Sequence, residues 1–310
     1  MPYLAGIVPP GLPRSVVYPF GGGDLMTALA TFPDADEFTT ISLEPAGDVR
    51  RVDEVPAADW DHALAASRAT LGILLARAYN TSRALRTPHL PLPEEIVHTM
   101  AALVVFGYEP VSLRYFAIEP DGSLRYLTPD PSGHLATDDM ELVFRKAGDP
   151  TARPKVLRHI AANLSDHHLR TDRRVVKHLE SKGRVTAMTK AASYLLWSSN
   201  FSSIRQYLLD NMDFMVSDST GIPPRFAREA GIHLGADHQI RTQEFDGHRS
   251  TEMPVVGRVD HDRDQGDPTQ DGHGAYLLID VGGVLRGSGR PGQPCPLTGS
   301  ERSSSQLATS

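Results

Sequence analysis

Near the start of the chain an apolar run meets three consecutive glycines and then an acid: Val16-Val17-Tyr18-Pro19-Phe20-Gly21-Gly22-Gly23-Asp24. Such a run reads as a strand entering a tight corner, with the acid standing where a helix N-cap belongs. Leu25, Met26, Leu29 and Phe32 then recur at helical spacing, and Pro33-Asp34 stops the helix. Phe38 to Leu43 reads as a second strand and delivers Glu44 at its end. Strand, glycine corner, short helix, strand and acid is the outline of a nucleotide-type βαβ unit.

The acid at the corner narrows what such a unit could hold. A phosphate needs backbone amides at the helix N-terminus, and a carboxylate on Asp24 would cap those amides and repel the anion. S-adenosylmethionine carries no phosphate and is cationic at sulfur, so Asp24 does not exclude it. The step from Gly23 to Glu44 is close to the ~20 residues expected before a ribose-binding acid. Phe32-Pro33-Asp34-Ala35 and Leu43-Glu44-Pro45 also resemble the turn and acid of Rossmann-fold methyltransferases. Gly21, Gly23, Asp24 and Glu44 are therefore the candidate cofactor-binding residues. Pro19 counts against a central position for the first strand, because it has no N–H to give a ladder. The helix after the corner is also about one turn short.

Bulk properties set wider limits. The 310 residues can bury a sizeable core in one large domain or two smaller ones, and 40% hydrophobic with 22% charged content is ordinary for a globular protein. A net charge of −7 and a pI near 6.0 argue against nucleic acid as a partner. Arg170, Arg173, Arg174 and Lys177 read as one solvated basic helix face. A lone cysteine, Cys295, excludes an internal disulfide framework and a cysteine-cluster metal site. Met1 to Pro13 lacks a basic segment followed by an apolar one, and no apolar run reaches the roughly 18 residues of a membrane span. As written, the chain reads as soluble and cytoplasmic.

Residues 1–15 read as an irregular lead-in and 16–230 as a single α/β domain. Leu64, Leu71, Leu74, Leu75 and Ala78 mark a long helix starting near Asp59. Ile96, Met100, Leu103 and Val104 predict the buried face of another, starting at Pro93. Alternation over Tyr108–Pro120, the turn Asp121-Gly122-Ser123 and the run Leu124–Leu127 predict a hairpin. Glu141–Lys146, Lys155–Asn163, Arg184–Met188 and Asp213–Val216 read as further strands. Thr171 is placed to cap one helix, and Ser199 or Asn200 another. Strands alternating with helices across 155–220 predict an α/β layer architecture with a mixed sheet. After about Gly231 the periodicity ends, and 231–310 reads as a low-order tail rich in His, Asp, Arg, Gly and Ser.

Other chemistry-bearing residues are sparse. Asp166-His167-His168 resembles the acidic-histidine signature of a metal-dependent phosphoesterase family, but it stands alone. Asp218-Ser219-Thr220-Gly221 follows a strand, where α/β proteins place working residues and where turn-forming polar residues are also ordinary. Lys190 is either a buried lysine with a lowered pKa or one whose stem snorkels to the surface. No Gly-x-Ser-x-Gly elbow is present.

Several blocks taken together resemble a family of bacterial proteins with no assigned activity. They are Tyr18-Pro19-Phe20-Gly21-Gly22-Gly23-Asp24, Leu43-Glu44-Pro45-Ala46-Gly47, Lys190-Ala191-Ala192-Ser193-Tyr194-Leu195, Phe201-Ser202-Ser203-Ile204-Arg205 and Gly221-Ile222-Pro223. The resemblance covers roughly 16–226. It implies an exported or envelope-associated location if sequence precedes Met1, since members of that family begin with an export signal. It stops near Gly231, which predicts that the remainder is a shifted reading frame or an unrelated end. Three function classes follow: a soluble or envelope-associated binding module, a Rossmann-like methyltransferase using S-adenosylmethionine, and a metal-dependent hydrolase.

Overall fold

The computed structural model describes residues 8, 10–77, 93–217, 221–223 and 225–226. The expected tail, Cys295 and most of the loop 218–221 lie outside them. Strand β1 (Ser15–Pro19) leads through the glycine corner into α1 (Leu25–Thr31) and β2 (Glu37–Ser42). Helices α2 (Arg51–Glu54), α3 (Trp60–Arg77) and α4 (Glu94–Phe106) follow. Next come β3 (Tyr108–Ile118), β4 (Leu124–Tyr126), β5 (Asp139–Lys146) and β6 (Lys155–Ala161). The last described part holds α5 (Asp166–Thr171), α6 (Arg174–Glu180), β7 (Val185–Thr189), a 3-10 segment Ala191–Trp197, α7 (Ser202–Asn211) and β8 (Met212–Ser217).

The strands form one mixed sheet in the order β4-β3-β5-β6-β2-β1-β7-β8. From β6 to β8 every neighbouring pair is parallel, while β5, β3 and β4 continue from β6 as an antiparallel extension. Counted in chain order, the parallel strands run 3-2-1-4-5. That is the order of a doubly wound sheet, in which the chain leaves β1 on one side and returns to add β7 and β8 on the other. The reversal lies between β1 and β7. Among the described residues no helix is long and apolar enough to cross a membrane.

Alternation along the strands divides the core between two faces. Val16, Tyr18, Phe38, Leu142, Leu157 and Met188 pack on one face with Leu25, Leu29, Ile96 and Leu103 of α1 and α4. Val17, Ile41, Ile160, Ala187 and Met215 pack on the other with Leu169, Leu179, Ile204 and Leu208 of α5, α6 and α7.

Three expectations are corrected here. Pro19 does not send β1 to an edge: the strand lies between β2 and β7, and Pro19 is its last residue. The ladder to β7 pairs only Val16 and Val17, so it has ended before the missing N–H would matter. Val104 is exposed, not buried, and Glu95, His98 and Thr99 take buried positions on α4 instead. The α6 amide that Thr171 was expected to cap is served by Asp172, whose Oδ1 accepts from Arg174 N at 3.0 Å.

Candidate functional site

The glycine corner sits at the carboxyl end of the central strand β1, the edge where open parallel sheets hold ligands. The turn is tight. Phe20 has φ 63°, in the left-handed region that non-glycine residues seldom enter, and Gly22 follows at φ 50°. A Cβ on Gly21 would stand 2.6 Å from the Tyr18 ring, and one on Gly23 would stand 2.5 Å from Glu95 Oε2. These two glycines thus allow close approach by Tyr18 and by the first turn of α4.

Asp24 caps α1 as its position predicts. Its Oδ1 accepts from Thr27 N at 3.1 Å and from the Thr27 hydroxyl at 2.7 Å. Its Oδ2 accepts from the Tyr18 hydroxyl at 3.2 Å and from Lys190 Nζ at 3.0 Å. Lys190 directly follows β7, so this ion pair spans the β1/β7 crevice. Both side chains are buried, so Lys190 does not snorkel. The crevice at the topological reversal is closed by the chain's own charges.

On the β2 side the arrangement differs. Helix α4 turns Glu95, His98 and Thr99, at spacing i, i+3 and i+4, toward the sheet edge, all buried. Pro93 packs on the loop after β2, where a Cβ on Gly47 would lie 2.5 Å from its Cβ. Burial pushes His98 down to about 4, against the opposing pull of Asp24. His159 on β6 is fully buried, and burial lowers its pKa as well. Its Nε2 lies 2.8 Å from the Glu44 carbonyl, which can only accept, so Nε2 carries the proton and Nδ1 accepts from the Thr40 hydroxyl at 3.2 Å. With Nδ1 unprotonated, its 4.0 Å separation from Glu95 Oε2 is neither a hydrogen bond nor a charge pair.

Glu44 completes the group. It stands two residues beyond the end of β2 and is only 4% exposed. Neither carboxylate oxygen has a hydrogen-bond partner among the described residues. Buried carboxylates are nearly always paired, so this one marks a place where another donor fits.

No protein-family model, curated protein or solved structure matches this chain. Function therefore rests on the site itself.

The other sequence candidates fall elsewhere. Asp218, Ser219 and Thr220 lie outside the described residues. Gly221 is held by Trp197 Nε1, which donates to its carbonyl at 2.7 Å, and a Cβ there would collide with Ser217 Oγ. His167 and His168 are exposed, and among the described residues no three His, Cys, Asp or Glu side chains are grouped to hold a metal.

Asp166 has a structural task. It accepts from Ser202 N at 3.1 Å, the Ser202 hydroxyl at 2.6 Å and Ser203 N at 2.8 Å. Across 36 residues it satisfies the first amides of α7, the role expected of Ser199 or Asn200. Those hydrogen bonds hold its pKa below the usual carboxylate range against the effect of burial. Replacing Asp166 by alanine is expected to cost about 0.5–2 kcal/mol, the range of a lost N-cap, read from urea unfolding. An effect confined to divalent-metal affinity, with unchanged stability, would contradict this role.

Glu95, His98 and His159 do not figure among the sequence candidates. One signal was available: Glu95, His98 and Thr99 form a polar i, i+3, i+4 stripe beside Ile96 and Leu103.

Proposed function

We propose that the carboxyl edge of β1 and β2 binds S-adenosylmethionine and that the protein is a Rossmann-like methyltransferase. The observation that carries this reading is the buried, unpartnered carboxylate of Glu44. Two neighbouring ribose hydroxyls are donors of the number and spacing that one carboxylate accepts. The end of the strand beside the glycine corner is also where doubly wound proteins hold that acid.

Charge supports this cofactor over a dinucleotide. Asp24, Glu44 and Glu95 converge with Lys190 and two histidines that burial keeps neutral, so the edge is net acidic. A pyrophosphate would face that field unfavourably, and the Thr27 amide that could serve it is taken by Asp24. A sulfonium and an α-ammonium suit it. In this reading Glu44 takes the ribose, Glu95 faces the cationic end, Gly21 and Gly23 keep the corner tight, and the Asp24–Lys190 pair fixes it. A binding module without chemistry gives no reason to gather so many titratable groups under one helix.

Titration calorimetry tests the proposal. S-adenosylmethionine and its demethylated product should bind, and NAD should not. Glu44→Gln should weaken binding roughly 10- to 100-fold, since hydrogen bonds to a charged group contribute ~1.5–3 kcal/mol. The same variant should fold at least as stably as the native chain, because it removes a buried unpaired charge. Equal affinity in the variant, or no heat from either adenosine compound, would overturn the reading.

A further inference from the structure

A cavity lies on the face of the sheet opposite α1 and α4, where the ends of β3 and β6 and the start of β5 meet α5 and α6. Its volume is about 460 Å³, and none of Asp24, Glu44, Glu95, His98, His159 or Lys190 lines it. Small-molecule sites fall in this size range. The floor is apolar, built from Phe116, Ile118, Ile160 and Leu169, all buried.

Against that floor stands one half-buried acid, Asp139, the first residue of β5. Its Oδ1 accepts from Ala161 N at 2.8 Å, which ends the β6 backbone in place of another strand residue. Among the described residues its side chain has no other hydrogen bond and no ion pair. The cation across the cavity, Arg174, is committed elsewhere. Its Nε and Nη2 donate to Asp172 at 2.9 and 2.5 Å, and its Nη1 donates to the Ile118 carbonyl at 3.3 Å. Burial, helped by the neighbouring charge of Asp138 and opposed by the Ala161 amide and by Arg174, lifts Asp139 to about 6. Three acids, Asp138, Asp139 and Asp172, line the cavity together with one arginine and His168.

We propose that this cavity is a second ligand site, which takes a small organic ammonium, its nitrogen on Asp139 and its apolar body on Phe116, Ile118 and Ile160. The apolar floor, and a lining in which only Asp138 and Asp139 keep carboxylates outside an ion pair, disfavour a hard metal ion, which needs six or more oxygen ligands. The ammonium supplies the close ion pair that Asp139 does not make with the more distant Arg174, and the floor replaces water around the ligand's carbon frame. The site does not depend on the S-adenosylmethionine reading, because the two share no residue.

The test uses the full chain at pH 7.5 with three probes: 2-phenylethylamine, phenylacetate and Mg²⁺. Ligand-observed NMR titration is expected to show saturable binding of the amine, at least about tenfold weaker binding of phenylacetate, and a loss of about tenfold or more for the amine with Asp139→Asn. Equal binding of amine and carboxylate to the native chain would overturn the proposal without recourse to any variant. So would unchanged amine affinity in Asp139→Asn, displacement of the amine by Mg²⁺, or no amine binding up to about 10 mM.

Discussion

Replacing Lys190 by methionine is expected to destabilise the fold by about 3–5 kcal/mol, because it leaves a carboxylate buried without its cation. Asp24 is 1% exposed, and after the substitution only Tyr18 and Thr27 remain bonded to it. Methionine keeps the length and most of the volume of the lysine stem, so the loss reports charge more than packing. Adding Asp24→Asn should recover part of the loss, since the double variant no longer buries an ion. The coupling between the two sites, measured by urea unfolding with tryptophan fluorescence, should exceed 0.5 kcal/mol. A single-variant loss below about 1 kcal/mol would mean the pair behaves as a surface ion pair and does not hold the corner.

Asp139→Asn is expected to act in the opposite direction, and only above acid pH. Burial raises Asp139 to about 6 in the folded chain against 3.8 for an unperturbed aspartate. Between those values the folded state keeps a proton that the unfolded state releases. Stability therefore falls as pH rises through that window, by an amount on the order of 2–3 kcal/mol once pH exceeds both. Asparagine can still accept from Ala161 N and carries no charge. The variant should match the native chain near pH 3.5 and exceed it at pH 7. Pairing each variant measurement with the native chain at the same pH cancels every other titrating group. A constant difference across the range would place the effect in packing instead.

Both residues show which levels of structure were legible in the sequence. Short-range relations came through because their physics is local: Asp24 as the cap of α1, Asp121-Gly122-Ser123 as a turn with Gly122 at φ 91°, and the strands β3, β5 and β6. The mixed sheet with flanking helices followed from the same patterns. Relations set by docking did not come through. Pro19 argued for an edge because a single strand's sequence does not say where its neighbour's ladder stops. Periodicity placed Val104 inside because it assumes that a buried helix face is apolar, whereas α4 buries an acid, a histidine and a threonine against the corner. The partner of Lys190 lies 166 residues away and that of Asp166 lies 36 away, so neither pairing has a local signature. The unpartnered state of Glu44 is likewise a property of everything packed around it.

The position of β1 also bears on how the chain reaches its fold. Its partner on one side, β2, begins 18 residues after β1 ends, whereas β7 begins at Val185 and can pair only after the whole antiparallel extension has been made. During synthesis from the N-terminus, the strand that finishes in the middle of the parallel part of the sheet spends most of that time as an edge. Contacts of such long sequence separation slow folding, and an open apolar edge is where other chains can add. A proline at the end of that strand, harmless in the finished sheet, shortens the edge while it is open.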